Sequence, residues 1–241
     1  MFKLETHIHT KYSHDSIMPF WLLYIKCRLL NINYIAITEH NNIRGGVAFQ
    51  KYCKEKGDKV QVIVGEEIMT TQGELIGLFL HDEISVGMSP QDTIKAIRQQ
   101  KGLVYIPHPY DKKRYKTVLK EECIADNVSQ IDFMECYNGR NISIEYTNKQ
   151  NKLCEKYQIP KIIGSDAHTI WEIGRNYMLV PVEPDNPINF KKAMKKAQFY
   201  RKPCLKICHQ LTKITRVIKL LQKGDINGLC RIINKKLGRK M

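Results

Sequence analysis

The sequence predicts an α/β fold: a compact β/α barrel followed by a basic helical tail. Three observations carry this. Short apolar runs alternate with helical stretches from Lys3 to Ala197. The apolar runs are continuous, as in strands covered on both faces, so they point to a parallel sheet flanked by helices. After Pro203 the pattern changes to a basic amphipathic one. The chain has 241 residues, long enough for one large core. No repeat of fixed period and no low-complexity tract interrupts it.

In order, the expected strands are Lys3–Ile8, Tyr34–Thr38, Val60–Gly65, Leu75–Leu80, Leu103–Pro107, Ile131–Cys136, Lys161–Gly164 and Tyr177–Val180. The expected helices are Pro19–Leu30, Ile43–Lys56, Pro90–Lys101, Leu119–Asn127, Ile142–Tyr157 and Ile188–Ala197. Met18-Pro19, Ser89-Pro90 with Asp92, and Asn186-Pro187 mark helix starts, since proline fits the first helical turn, where its missing N–H is not needed. Residues 1–200 are taken as the barrel and 204–241 as the tail.

The tail starts with a helix at Leu205–Lys223. Leu205, Cys208, Leu211, Ile214, Val217, Ile218 and Leu221 recur at helical spacing, with Lys206, Lys213, Arg216 and Lys219 between them. Gly224-Asp225 breaks it, and Ile226–Leu237 forms a second amphipathic piece. Residues 189–241 hold 16 Lys and Arg against one acid, Asp225, whereas the first 188 hold 23 of each sign. The whole formal charge of +15 therefore sits in residues 189–241, the tail and the stretch that leads into it. The apolar stripe can pack on the barrel, leaving lysines in water. The basic face also suits nucleic-acid phosphates or an anionic membrane surface.

No apolar run reaches the roughly 18 residues of a bilayer span. MFKLETHIHT has no charged-then-apolar leader, so a cytoplasmic location is expected. The eight cysteines are scattered and read as small buried hydrophobes in a reducing compartment. Cys204, Cys208 and His209 cluster without a second ligand pair, a weak zinc signal.

Five of eight histidines (His7, His9, His40, His108, His168) fall at or just past the C-terminal end of an expected strand. So do Glu39, Glu67, Glu135 and Asp166. In a β/α barrel those ends converge on one rim. His7 and His9, two apart on an extended segment, face the same side. Imidazole with carboxylate oxygen suits Zn²⁺, Mn²⁺ or Fe²⁺. The absence of cysteine argues against a closed structural zinc site. So many donors suit more than one ion, and Glu67 is the expected bridging carboxylate, with Glu66 pointing the other way.

Together these segments resemble the PHP family, named after polymerase and histidinol phosphatase. The resemblance lies in ETHIHTKYSHDS, AITEHNNIRGG, VGEEIMTTQGELIGLFL, GLVYIPHPYD, ECYNGRN and IIGSDAHTIWEIG. It implies a distorted seven-stranded β/α barrel with two or three divalent ions at its mouth. By this resemblance His7, His9, Glu67 and Asp166 hold one ion, Glu67 and His108 a second, and Asp15, His40 and His168 a third. Two positions depart from the family pattern. Glu5 stands where Asp is usual before H-x-H, and Glu74 stands where many relatives have histidine, so Glu74 is kept as a candidate ligand.

The implied activity is metal-dependent hydrolysis of phosphate esters by a metal-bridging hydroxide, acting on a phosphomonoester, nucleotide or oligonucleotide end. His40 or His168 would donate a proton to the leaving group. Arg140 and Arg175 would hold the phosphate, and Glu135 and Asn138 would orient ligand histidines. The competing expectation is a non-catalytic, metal-stabilised barrel that binds nucleic acid or an anionic surface through its tail. The amidohydrolase-type barrel also opens with H-x-H, but no lysine sits at a matching strand end here.

Overall fold

The computed structural model describes residues 1–236. One mixed sheet of nine strands organises it. The strands are β1 (Phe2–Ile8), β2 (Tyr34–His40), β3 (Gln61–Thr70), β4 (Gly73–Leu78), β5 (Leu103–Ile106), β6 (Phe133–Asn138), β7 (Lys161–Gly164), β8 (Tyr177–Val180) and β9 (Gln198–Tyr200). Their order across the sheet is β7-β6-β5-β4-β3-β2-β1-β8-β9. The sheet curls until its first and seventh strands meet. Ile8 bridges Ala167 in parallel, the Ser165 amide donates to Thr6 O at 2.9 Å, and Thr6 Oγ1 donates to Ile163 O at 2.8 Å. The result is a nearly closed, barrel-like sheet.

Two expectations about the sheet are corrected. It has nine strands, not seven, and it is not all parallel. β4 runs antiparallel to β3 and β5 because only Thr71 and Gln72 separate β3 from β4, far too few for a crossover. β8 runs antiparallel to β1, and β9 to β8. The chain between β7 and β8 stays over the rim as a loop, so β8 returns downwards. β9 is three residues long and part-exposed, without an apolar run to announce it.

The helices are α1 (Phe20–Leu29), α2 (Arg44–Glu55), α3 (Pro90–Gln99), α4 (Glu121–Asn127), α5 (Ile144–Lys156), α6 (Pro187–Met194), α7 (Lys206–Gln222) and α8 (Ile226–Lys236). Ser89 Oγ accepts from the Asp92 amide at 3.1 Å and Asn186 Oδ1 from the Asn189 amide at 2.9 Å, each capping a helix with proline at its first position. Leu237, expected to end the last helix, lies outside the described residues. Among those described, no helix is long and apolar enough to cross a membrane. All cysteines are free, and six of the eight are buried.

α7 docks by only one edge of its apolar stripe, where Cys208 is buried, and leaves most of the stripe outside. Ile207, Ile214, Ile218 and Leu221 are exposed, and only Cys208 and Thr215 are buried. The line Cys208, Thr212, Thr215 and Lys219 makes the contact, one residue per turn on a single face. Arg140 Nη2 donates to Thr212 Oγ1 at 2.6 Å, and Lys219 Nζ donates to Lys11 O at 2.7 Å.

Candidate metal centre

The C-terminal ends of β1, β2, β3, β5, β6 and β7 open at one rim. Because β4 is reversed, it brings its start there, and Glu74 with it. His7 and His9 end β1, where the backbone departs from a regular strand. The register with β2 shifts between Glu5 and Ile8, and His7 adopts φ 63°. The two rings still share one cavity, with centroids 5.2 Å apart. His108 (φ 28°) and Asp166 (φ 52°) also hold left-handed backbone. Such φ values in non-glycine residues carry strain and gather at functional sites.

Glu67 is the hub. Its Oε1 lies 3.3 Å from His7 Nε2 and 3.0 Å from His108 Nε2. Its Oε2 lies 3.4 Å from His9 Nε2 and 3.0 Å from His40 Nδ1. Asp166 Oδ1 is 3.8 Å from both His7 Nε2 and His9 Nε2. Glu74 Oε2 is 3.4 Å from His108 Nε2. Asp15 Oδ1 faces His168 Nε2 at 3.2 Å and His40 Nε2 at 3.5 Å. The structure thus gathers all nine candidate ligands: His7, His9, Asp15, His40, Glu67, Glu74, His108, Asp166 and His168.

Several triads have donor atoms within 4.8 Å of one another: His7, His9 and Asp166; His7, Glu67 and His108; His9, His40 and His168; His40, Glu67 and Glu74. Donor atoms bound at about 2.0–2.2 Å to one ion fall within such a span. His7 Nε2 and His9 Nε2 are buried and accept or donate no hydrogen bond. Unpaired buried polar atoms are costly, and a cation between them removes that cost. The donor set fits divalent metal.

The electrostatics agree. Burial opposes ionisation of Glu67, yet His7 and His40 hold its carboxyl well below the usual range. Burial likewise works against Asp166, which Arg114 and His7 hold low, and against Asp15, which His168 and His40 hold low. His7 is raised well above its usual value: burial pulls it down, but Glu67 and Asp166 prevail. His9 is pushed well below by burial and by its neighbours His168 and His40. Burial and the Glu67 charge push Glu74 up to about 7. With protons alone to balance them, the carboxylates keep His7 and His40 charged. Divalent cations among the same atoms would supply that charge and free the imidazole lone pairs.

A second layer fixes the rings. Glu135 Oε1 pairs with His7 Nδ1 at 2.8 Å and accepts from Tyr105, while Oε2 accepts from the His108 amide at 2.6 Å and Asn138 Nδ2 at 2.9 Å. Glu39 accepts from Thr10 and from Ser13 Oγ, and Ser13 Oγ in turn pairs with His9 Nδ1 at 3.0 Å. Both carboxylates occupy space that only glycine leaves open. A Cβ on Gly164 would fall 1.7 Å from Glu135 Oε1, and one on Gly45 would fall 2.0 Å from Glu39 Oε1. Glu66 points away and accepts from the Ile84 amide. Glu5 bonds Ser165 and Gly174, touching no ligand histidine.

The two arginines part company. Arg140 lines the cavity, but it is buried and tied to Glu172 Oε1 at 3.2 Å and to α7. Arg175 is not at the site. Its Nε and Nη2 donate to Pro203 O, and it borders a separate surface hollow, because its segment turns outward before β8. His14 borders the cavity half-exposed, with burial pushing its pKa down to about 4 against Asp15. His81 is exposed, and His209 meets Cys204 Sγ at 3.1 Å without joining any of the ligand triads among the described residues.

The sequence reading missed Arg114. Its Nη1 reaches Asp166 Oδ2 at 2.6 Å from the loop between β5 and α4. With Lys113, Lys116 and Arg216 it gives the cavity, about 630 Å³, a cationic border. The signal available was the basic run DKKRYK directly after the His108 segment. Glu172 was also missed. Its Oε2 accepts from the amides of His168 (3.0 Å) and Thr169 (2.9 Å).

Comparison with known proteins gives the family. The PHP domain family matches residues 5–228, and the chain belongs to that family. Two relatives come from Methanocaldococcus jannaschii. Uncharacterized protein MJ1587 is 47% identical over 120 residues, covering 45% of this chain and 68% of that one. Uncharacterized protein MJ0417 is 34% identical over 179 residues, covering 73% and 69%. Among solved structures, a two-domain protein from Bacteroides vulgatus, described as containing a predicted PHP-like metal-dependent phosphoesterase, superposes with TM-score 0.64 at 18% identity. That match covers 83% of this chain and 64% of the other, and at such identity it speaks for the fold.

Proposed function

We propose that this protein hydrolyses phosphate esters with two or three divalent cations, Zn²⁺, Mn²⁺ or Fe²⁺, held by the nine gathered side chains. The observation that carries this is Glu67. One buried carboxylate has four imidazoles within 3.4 Å and a cationic cavity beside it. When bound, such cations neutralise phosphate oxygens and lower the pKa of water.

The chain's own residues set the rest. Glu67 is shared between the His7–His9–Asp166 group and the His108–Glu74 group. His168 Nδ1 donates to Asp166 O at 2.9 Å, which leaves the Nε2 lone pair toward Asp15. His40 has both ring nitrogens at carboxylates. We therefore assign His40 and His168 as ligands rather than proton donors. Arg114 and Arg216 border the cavity and suit a phosphate's remaining oxygens. Arg140, engaged on both sides, is assigned to positioning, and Arg175 to the surface.

The substrate is proposed as a phosphomonoester, a nucleotide or an oligonucleotide end, since the cavity border is cationic and open to solvent. The test is hydrolysis of aryl phosphates, nucleotides and short oligonucleotides by the Mn²⁺-loaded chain, with metal content measured alongside. Release of phosphate that disappears on chelation and returns with Mn²⁺ supports the reading. A fully loaded chain that releases none from any of these would leave a non-catalytic metal-stabilised barrel.

A further inference from the structure

We infer that α7 is a brace of the outer part of the metal centre, with Lys219 and Arg140 as positioning residues for the ligands Asp15 and His168. This rests on the metal-binding reading of the site, not on its reaction.

Two separate chains of contacts lead from α7 to the outer ligands. In the first, Lys219 Nζ donates to the carbonyls of Lys11 and Ser13. These belong to the loop after β1 that carries Asp15. The Ser13 hydroxyl in that loop contacts His9 Nδ1, Glu39 and the His40 amide. In the second, Arg140 Nη2 donates to Thr212 Oγ1 (2.6 Å) and Cys208 O (3.3 Å) of α7, while its Nε lies 3.2 Å from Glu172 Oε1. Glu172 then accepts the His168 and Thr169 amides. Arg140 is only 5% exposed, so its charge depends on these partners.

The orientation of α7 points the same way. Its polar line faces the barrel and its isoleucines face outward. Hydrophobic docking alone would turn the helix the other way. The inner ligand His7 needs no such support, because Glu135 of the barrel already holds it, and Ser13, which meets the His9 ring, is anchored to Glu39 of the barrel as well. The family match also runs through all of α7.

The experiment is Mn²⁺ titration of the full chain, with bound metal counted per protein and Tm recorded. Lys219→Met keeps the aliphatic stem and removes the ammonium. Thr212→Val removes the hydroxyl that Arg140 reaches. Each should weaken the weakest class of sites by about tenfold, the scale of outer-layer substitutions at metal sites. The tighter classes should stay unchanged, and Lys219→Arg should restore most of the loss. The inference is overturned if both variants bind Mn²⁺ as the parent does. It is equally overturned if all classes weaken together with a large fall in Tm, which marks general loosening. A parent chain that binds Mn²⁺ and shows this pattern but hydrolyses nothing would sink the proposed reaction and leave the brace standing. A parent that binds no Mn²⁺ would sink both.

Discussion

The inner and outer halves of the mouth are built differently. His7, His9, Glu67, His108 and Asp166 are almost completely buried, and strands or strand ends carry them. Glu135 sets the His7 ring directly and Glu39 reaches the His9 ring through Ser13, and both carboxylates sit where glycine leaves room. Asp15 and His40 have side chains about one-sixth exposed, and Asp15 and His168 stand on loops. Loop-borne groups lack the rigidity of a sheet. Here a helix from the far end of the chain touches the Asp15 loop and reaches the His168 loop through Arg140 and Glu172. The contrast teaches that one cluster can have a part fixed by the barrel and a part fixed by what packs on it.

The largest effect should come from breaking the hub that both halves share. Glu67→Ala should cut phosphate release by about a thousandfold or more, roughly 4 kcal/mol of barrier. It should also lose more than one ion per chain, read by metal analysis. An ion count unchanged by this substitution would dismantle the shared-ligand picture.

Gly164→Ala attacks the inner half through packing. The new methyl must displace Glu135 or the strand, and overpacking of this kind costs about 1–3 kcal/mol. A lower Tm together with weaker metal binding is expected. Glu135→Gln is milder. It keeps the shape but removes the charge facing His7 Nδ1, and metal affinity should fall about 10–100-fold. The contrast between halves sharpens if this substitution weakens the tight sites while Lys219→Met weakens only the loosest. Glu74→Ala should do less, about tenfold on one ion, since the ion keeps Glu67 and His108.

The smallest effect is one of slope. Burial raises the Glu5 carboxyl to about 7 from 4.5, ahead of the opposing bonds from Ser165 and Gly174. A raised carboxyl favours the fold while protonated. Its contribution is fully present below 4.5 and is lost as pH rises through about 7. Glu5→Gln should flatten the fall of Tm across that window. A Tm profile of unchanged slope would show that Glu5 titrates normally.

Much of the site was legible in the sequence because its ligands stand at the ends of apolar strands. His40, His108 and His168 each follow a run too apolar to be anything but buried strand. The alternation of runs and helices then puts those ends on one side. Arg114 was not legible in this way: it lies in an irregular loop, and one arginine in a basic run looks like any other. The reversal of β4 was visible only as a missing helix between two strands. It matters, because it sends Glu74 to the rim beside His108. The tail illustrates the limit most clearly. Periodicity located α7 well, yet only one edge of its apolar stripe docks.

The amino-acid order alone determined the class of fold, the strand ends and the donor types, because burial, helical period and ligand chemistry are local properties. The tertiary structure alone decided which carboxylate meets four imidazoles, which arginine enters the cavity and which face of α7 touches the barrel. Those outcomes depend on distances between residues far apart in the chain, set by sheet curvature and by the direction each connection takes.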